Sequence, residues 1–134
     1  MMFLYDTNII SELVRPQPNA GVVSFSKSVS QVYFSVITIE EIFYGLTAKP
    51  APKTMQRIES FLQEQAVVLP MTDEISRRAG ELRGLLQTQG HTRSQSDMLI
   101  AATAQRHQLT VVTRNLKDFE NCGIPLLNPF STVQ

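Results

Sequence analysis

The sequence has little of several features that define common protein classes. It contains a single cysteine in 134 residues, which excludes an intrachain disulfide and a cysteine-based zinc site and favours a reducing compartment, by default the cytoplasm. Its formal net charge is zero, so the chain as a whole has no electrostatic attraction to nucleic acid or to an acidic membrane. Contact with either would therefore need a local patch of charge.

Long apolar runs are also lacking. The opening MMFLY is apolar but stops at Asp6, which leaves no basic region and too short a run for a signal peptide or a membrane span. No later segment approaches the length of a span. We therefore expect neither a secretory leader nor a membrane helix.

What the sequence does contain is the material for one α/β domain. Its length and its 43% hydrophobic content suit a single unit with a core of its own, residues 1–134. Short apolar runs rich in β-branched residues predict strands at residues 3–5, 32–37, 67–70, 109–113 and 124–127. Because helical segments alternate with these runs, we expect a mostly parallel sheet covered on both faces.

Polar residues mark the expected starts of several helices. The side chains of Asp6, Thr38 and Thr72 can each accept a hydrogen bond from a backbone N–H group in a first helical turn. The predicted helices cover residues 6–13, 22–28, 38–46, 54–65, 72–90 and 97–106.

Acidic and amide side chains stand where the predicted strands end or the helices begin. Asp6 follows the first strand, Glu41 lies one turn into the helix after the second, and Asp97 opens the helix before the fourth. Asn115 and Asp118 follow the fourth strand. Because ligands of open parallel sheets bind at the carboxyl ends of the strands, these five residues are the candidate catalytic residues.

Each acid has an ordinary structural alternative. Asp6 can cap the helix behind it, Thr38 and Glu41 have the spacing of a capping box, and Asp97 follows a serine at the same spacing. Asp118 can be a charge in the first turn of a helix. As a group, however, carboxylates that converge beside apolar segments raise each other's pKa unless a cation joins them. Mg²⁺ and Mn²⁺ prefer oxygen ligands of this kind.

A local excess of positive charge lies in the second half of the chain. Residues 75–117 carry seven basic side chains and two acidic ones. Those in the predicted helix are expected on its solvated face: Arg77, Arg78 and Arg83. Arg93 and Arg114 flank the candidate acids in sequence and are candidates for holding phosphates, although Arg93 can equally be a charge on a mobile loop.

Four segments, YDTNIISEL, SVITIEEIFYGL, SDMLIAATAQRHQLTVVTRNLKDF and PLLNPF, run from the first strand to the end of the chain. In combination they resemble the PIN-domain ribonucleases, in particular the VapC and FitB toxins of bacterial toxin–antitoxin pairs. The resemblance implies a three-layer α/β/α fold with a mostly parallel central sheet. It also implies that Asp6, Glu41 and Asp97 bind Mg²⁺ or Mn²⁺.

Further roles follow from the same resemblance. Thr7, Asn8 and Thr113 correspond to polar residues that support the site on its substrate side. The family often has a fourth acid at the position of Asn115, where an amide can bind a cation only weakly and adds no charge. Our hypothesis is that Asp118 takes over as an outer acid, and the number of metal ions stays open.

The resemblance implies an activity and partners as well. The activity is hydrolysis of RNA phosphodiester bonds by metal-activated water, which would make the chain an endoribonuclease toxin. The implied partners are an RNA substrate, with tRNA among the candidates, and a VapB-like antitoxin that covers the site. A homodimer is the implied oligomer.

Other classes fit less well. A receiver domain would need an acidic pair at the first strand and a lysine after the last, and an aspartate-nucleophile phosphatase would need an acid where Asn8 stands. His91 and His107 could serve as acid and base of a metal-free ribonuclease. A non-catalytic PIN-like module that binds protein or RNA, with its acids acting only as caps, is the main alternative, and metal titration separates it from the enzyme.

Overall fold

The computed structural model describes residues 2–131, which form three layers with a parallel sheet between two layers of helices. The strands are β1 (Phe3–Tyr5), β2 (Val32–Ser35), β3 (Ala66–Leu69), β4 (Thr110–Val112) and β5 (Leu126–Leu127). They lie in the order β3-β2-β1-β4-β5, and each neighbouring pair is parallel. The predicted fold class is confirmed.

Six helices and one short turn connect the strands in this part of the chain. The helices are α1 (Thr7–Leu13), α2 (Ala20–Lys27), α3 (Val36–Ala48), α4 (Pro52–Gln65), α5 (Asp73–Thr88) and α6 (Gln95–His107). A 3₁₀ turn, Leu116–Phe119, follows β4. Across residues 2–131, no helix combines the length and the apolar character needed to cross a membrane.

The start of α3 corrects a prediction. Strand β2 ends at Ser35, and the Ser35 hydroxyl accepts a hydrogen bond from the Ile37 N–H at 3.1 Å. Because a serine side chain at this place satisfies a free N–H group of the first turn, the helix begins at Val36. The predicted strand to residue 37 and the predicted cap at Thr38 are therefore wrong, and Thr38 is fully buried in the first turn.

Three other helices begin before their predicted starts, α2 at Ala20, α4 at Pro52 and α6 at Gln95. Helix α4 begins at Pro52, since proline lacks the N–H that a first helical position cannot use and its fixed φ suits a helix. Helix α6 begins after Ser94, whose hydroxyl accepts a hydrogen bond from the Asp97 N–H at 3.1 Å. Helix α5 is capped by Thr72 as predicted but ends at Thr88.

The sheet is buried on both faces, which explains its continuous apolar strands. Successive residues of a strand point to opposite faces, so Leu4 and Val111 pack in one hydrophobic cluster with Met98 of α6. Tyr5 and Phe34 pack in a second cluster on the other face, with ring centroids 5.8 Å apart. The two clusters hold β1 and β4 rigidly at the centre of the molecule.

The strand order places a crevice beside β1. The chain proceeds from β1 outward to β2 and β3, then crosses to β4 on the opposite side of β1. The direction of winding reverses between β1 and β4, and in open parallel sheets ligands bind at the carboxyl ends of such a strand pair. The Asp6 N–H donates to the Val112 carbonyl at 2.9 Å, which joins the two strand ends at this crevice.

Candidate active site

Asp6 lies at the centre of the crevice, directly after β1. Its Oδ1 accepts a hydrogen bond from the Thr7 N–H at 2.8 Å, so the predicted cap of α1 is present. Its Oδ2 accepts hydrogen bonds from the Thr113 hydroxyl at 2.8 Å and from Asn8 Nδ2 at 3.2 Å. Capping therefore uses only one oxygen of a carboxylate that is 7% exposed.

The electrostatic environment of Asp6 opposes ionisation. Burial raises the pKa of Asp6, and the negative charges of Glu41 and Asp118 raise it further. Hydrogen bonds from Thr113 and from the Thr7 backbone act in the opposite direction without cancelling the effect. A carboxylate held in this environment favours a cation nearby.

The Glu41 side chain is bonded to the first residue of α1 rather than to the start of its own helix. Its Oε1 accepts a hydrogen bond from the Thr7 hydroxyl at 2.6 Å, and the same hydroxyl lies 3.3 Å from Thr38 Oγ1. The short contact to a charged acceptor is the stronger of the two. The capping-box interpretation of Thr38 and Glu41 is thus wrong, because Ser35 caps α3 and leaves Glu41 free to face Thr7.

Asp97 lies in the first turn of α6 and enters the same cavity as Asp6. Its backbone N–H is satisfied by Ser94, whereas its carboxylate is half-buried among other acids. Burial, followed by the charges of Asp6, Asp118 and Glu41, raises the pKa of Asp97 to about 6, against the lowering effect of a hydrogen bond with Ser94. Part of the Asp97 population is therefore protonated near neutral pH when no cation is bound.

The end of β4 forms the adjoining wall. Asn8 Oδ1 accepts a hydrogen bond from the Arg114 N–H at 3.2 Å, and the Asn115 N–H donates to the Thr113 hydroxyl at 3.0 Å. Asn115 makes no side-chain cap for the 3₁₀ turn, although the Asp118 N–H donates to its carbonyl at 3.1 Å. The side chains of Asn115 and Asp118 are exposed and line the cavity.

Arg93 does not line this cavity. Its guanidinium donates to the carbonyl oxygens of Asp118 at 3.0 Å and Glu120 at 2.8 Å. These bonds attach the loop before α6 to the 3₁₀ turn, so Arg93 is neither a mobile loop charge nor directed at the site. Both bonds come from the same guanidinium nitrogen, Nη1, whose two N–H groups can each meet one carbonyl oxygen.

The two histidines also lie outside the cavity. His91 is exposed in the loop after α5, and His107 is the last residue of α6. The metal-free acid–base alternative therefore has no support in this geometry.

The cavity has a volume of about 480 Å³ and includes residues that the sequence did not single out. Its lining comprises Asp6, Thr7, Asn8, Ser11, Glu12, Arg15, Glu41, Asp97, Arg114, Asn115, Asp118 and Phe130. Ser11 and Glu12 lie on the same face of α1 as Asn8, so the spacing of that face predicts them, and Arg15 follows just beyond the end of the helix. No local pattern identifies Phe130, because its position depends on distant contacts.

The negative charge of the carboxylates suits an oxygen-preferring cation, although their oxygen atoms are not already arranged as a complete coordination shell. Each of Asp6 and Asp97 has its pKa raised in part by Glu41 and Asp118. No three acid, cysteine or histidine side chains among residues 2–131 already converge as a complete cation site. A divalent cation in the cavity would remove the mutual repulsion and draw the carboxylates together.

The fold is that of a PIN domain, and the PIN domain family model matches residues 3–123. The chain belongs to this family.

Individual relatives extend the match over nearly the whole chain. The VapC ribonuclease Y4jK of Sinorhizobium fredii is 33% identical, over 96% of this chain and 98% of the relative. The crystal structure of FitAcB from Neisseria gonorrhoeae contains a chain 33% identical, with a TM-score of 0.82 over 96% of this chain and 98% of that one. A toxin–antitoxin complex from Klebsiella pneumoniae matches at 28% identity and a TM-score of 0.75, over 96% and 98% of the two chains.

Proposed function

We propose that this chain is an endoribonuclease toxin that hydrolyses RNA phosphodiester bonds with Mg²⁺ or Mn²⁺ and is neutralised by a cognate antitoxin. The observation that carries the proposal is the cavity at the β1–β4 crevice, where Asp6, Glu41 and Asp97 are brought together from three distant segments. Similarity to proteins described as a VapC ribonuclease and a toxin–antitoxin complex supports the assignment.

Within this proposal, three carboxylates hold the cation: those of Asp6, Glu41 and Asp97. When bound, a divalent cation lowers the pKa of water and stabilises negative charge on the phosphate. Thr7 donates to Glu41, and Thr113 and Asn8 donate to Asp6, so the chain itself orients these two of the three carboxylates. Asn115 and Asp118 form the exposed edge of the site, where they meet the substrate.

The partners belong to the same proposal. We infer a VapB-like antitoxin that covers the cavity and a homodimeric toxin, as the family resemblance implies. RNA is the substrate, with tRNA among the candidates. Single-stranded loops or ends are the natural target of a small nuclease, because their bases are accessible.

The test uses the purified chain and total RNA, incubated with Mg²⁺, with Mn²⁺ or with a chelator. We expect cuts at discrete positions only when a divalent cation is present, and sequencing of the new fragment ends maps them. The melting temperature should rise on titration with Mn²⁺, since the cation binds the folded state. A chain that shows neither cleavage nor cation-dependent stabilisation would instead be the non-catalytic binding module.

A further inference from the structure

The edge of the cavity carries an arginine held against an aromatic ring. The guanidinium carbon of Arg114 lies 4.6 Å from the centroid of the Phe130 ring, a distance typical of a cation–π contact. Both side chains line the cavity that contains the candidate catalytic acids. Among the described residues that line it, Phe130 is the single aromatic side chain.

Phe130 is fixed in place by a segment that crosses the molecule. Its ring packs against the hydrophobic cluster on one face of the sheet. The next residue, Ser131, donates its N–H to Asn19 Oδ1 at 2.9 Å and accepts from Asn19 Nδ2 at 3.1 Å through its carbonyl. Asn19 in turn caps α2, and its own N–H donates to the buried carboxylate of Glu12 at 2.7 Å.

The close approach of this segment to α2 leaves no room for a side chain at residue 21. A Cβ atom added to Gly21 would lie 2.4 Å from the Pro129 carbonyl oxygen and 2.6 Å from the Ser131 nitrogen. The backbone on both sides of Phe130 therefore lies directly against the first turn of α2. The ring is therefore positioned by backbone contacts on both sides as well as by its packing on the sheet.

Arg114 is held from two directions but remains exposed. Its N–H donates to Asn8 Oδ1 at 3.2 Å, which places the residue at the end of β4. The Phe130 ring supports its guanidinium, while the Arg114 residue as a whole is exposed. Neighbouring Arg15, in contrast, forms an ion pair with Glu12 at 3.1 Å and is less free to bind an anion.

We propose that Arg114, supported by Phe130, is the surface on which an unpaired base of the substrate stacks beside the cleaved bond. An arginine plane stacks on bases as aromatic rings do, and one already held against a ring loses little freedom on binding. The surface adjoins the candidate catalytic acids, so the stacked nucleotide lies next to the reacting phosphate. The inference rests on the proposed function and adds a specificity for single-stranded RNA.

The decisive variant is Arg114→Lys, which keeps the charge and removes the plane. RNA affinity is measured by fluorescence anisotropy with a short labelled single-stranded RNA that spans a mapped cleavage site. All proteins carry Asp97→Asn so that the RNA stays intact, as a gel verifies. We expect Arg114→Lys to weaken binding about five- to a hundredfold, the range for one stacked base, with an unchanged salt dependence because the charge is kept.

Two further variants make the result specific. Arg77→Lys, at an exposed ion pair on α5, is the matched control and should bind RNA as its parent does. Phe130→Leu keeps apolar bulk in the hydrophobic cluster and removes the aromatic support. It should weaken binding without a large fall in melting temperature, and it should add little to Arg114→Lys because the two act as one unit.

The same RNA with one abasic nucleotide at successive positions identifies the stacked base. At one position next to the cleaved bond, loss of the base should lower the RNA affinity of the parent protein. The same loss should leave the RNA affinity of Arg114→Lys unchanged. The inference is overturned if Arg114→Lys binds RNA as tightly as its parent, or if no abasic position has this effect. In either case, cation-dependent cleavage by the wild type would still support the proposed function. A wild type that neither binds nor cuts RNA would overturn both.

Discussion

Two cavities of similar size show how differently this chain uses charge. One, of about 440 Å³, lies between α5 and α6 and is lined by three arginines and two glutamates. The other, of about 480 Å³, lies at the β1–β4 crevice and is lined by five carboxylates and two arginines. In the first, Arg78 pairs with Glu81 and Arg106 with Glu74 at the surface. In the second, beyond the effect of burial, the charges of Glu41 and Asp118 raise the pKa of both Asp6 and Asp97.

In the first cavity, opposite charges of the chain neutralise each other. In the second, most of the negative charge has no counter-ion within the chain. Exposed ion pairs such as those on α5 contribute little to stability and have no obvious chemical purpose. Partly buried carboxylates without a counter-ion are unfavourable for the fold. Because they contribute nothing to stability, their presence is typical of a functional site. The crevice, not the α5–α6 cavity, is thus the place where a cation and an RNA phosphate are expected.

The largest expected effect comes from removing one charge of the uncompensated group. Asp97→Asn should lower the rate of RNA cleavage at least about a hundredfold, the scale on which one electrostatic stabiliser of a transition state acts. Its melting temperature in chelator should equal or exceed that of the wild type, because one like charge has gone. A parallel loss of folding and activity would instead make Asp97 a structural cap.

A smaller but selective effect is expected at Glu41. Glu41→Gln keeps an oxygen that accepts from the Thr7 hydroxyl and loses the charge, so cleavage should fall at least about tenfold while the melting temperature changes little. The matched control is Glu40→Gln, an exposed neighbour on the same helix that should cleave like the wild type. Near-normal cleavage by Glu41→Gln would remove Glu41 from the site.

At the outer edge of the site, Asn115 stands where an acid is expected and Asp118 lies nearby. If Asp118 compensates for the missing acid at Asn115, then Asp118→Asn should weaken Mn²⁺ binding and Asn115→Asp should restore it in the double variant, since a carboxylate replaces a neutral amide. Calorimetric Mn²⁺ binding and cleavage are measured for the wild type, both single variants and the double.

The alternative for Asp118 predicts a different pattern. As a charge in the first turn of a helix, it would stabilise the fold by some tenths to ~1 kcal/mol and leave Mn²⁺ affinity unchanged. The 3₁₀ turn has only four residues, and Asp118 raises the pKa of both Asp6 and Asp97, which favours the compensation hypothesis. Wild-type Mn²⁺ binding by Asp118→Asn would end that hypothesis.

A modest effect of pH on stability should appear without metal. The pKa of Asp97 is raised from 3.8 to about 6 in the folded protein, so the protonated form favours folding. This contribution is complete below the ordinary value of 3.8 and is lost as the pH rises through about 6. In chelator, the melting temperature of the wild type should therefore fall over this range relative to Asp97→Asn. Mn²⁺ should oppose the fall, and parallel pH profiles would contradict the assigned charge coupling.

The smallest effect is expected in the compensated cavity. Arg106→Ala removes the surface ion pair with Glu74 and should cost about 1 kcal/mol of stability or less. Cleavage of RNA should be unchanged. A substantial loss of cleavage, measured on the same RNA at equal folded concentration, would show that the α5–α6 cavity takes part in function and would erase the contrast between the two.

Local chemistry made much of this site predictable. Asp6 and Asp97 stand at element boundaries that hydrophobic runs and polar caps mark in the sequence, and the structure brings both into one cavity. The start of α3 was predicted at the wrong residue because Ser35 and Thr38 can both cap a helix. Only the folded structure shows that Ser35 is the cap and that the Thr38 hydroxyl faces Thr7 instead.

Distant contacts account for the rest. Arg93 was expected at the phosphates, but it bonds to carbonyl groups of Asp118 and Glu120, which lie far along the chain. Phe130 reaches the cavity because Asn19, more than a hundred residues earlier, holds the residue next to it. Neither of these two contacts follows a periodicity or a fixed spacing in the sequence, so local sequence patterns cannot predict them.

The bond between Asp6 and Thr113 has a consequence for the order of synthesis. Its two residues are separated by 107 positions, and Asp97 also comes late in the chain. Because a ribosome releases the amino-terminal end first, a nascent chain carries Asp6 and Glu41 long before it can complete the crevice. Under the proposed function, a partly synthesised chain therefore lacks a complete site, and an antitoxin is not needed until β4 has emerged.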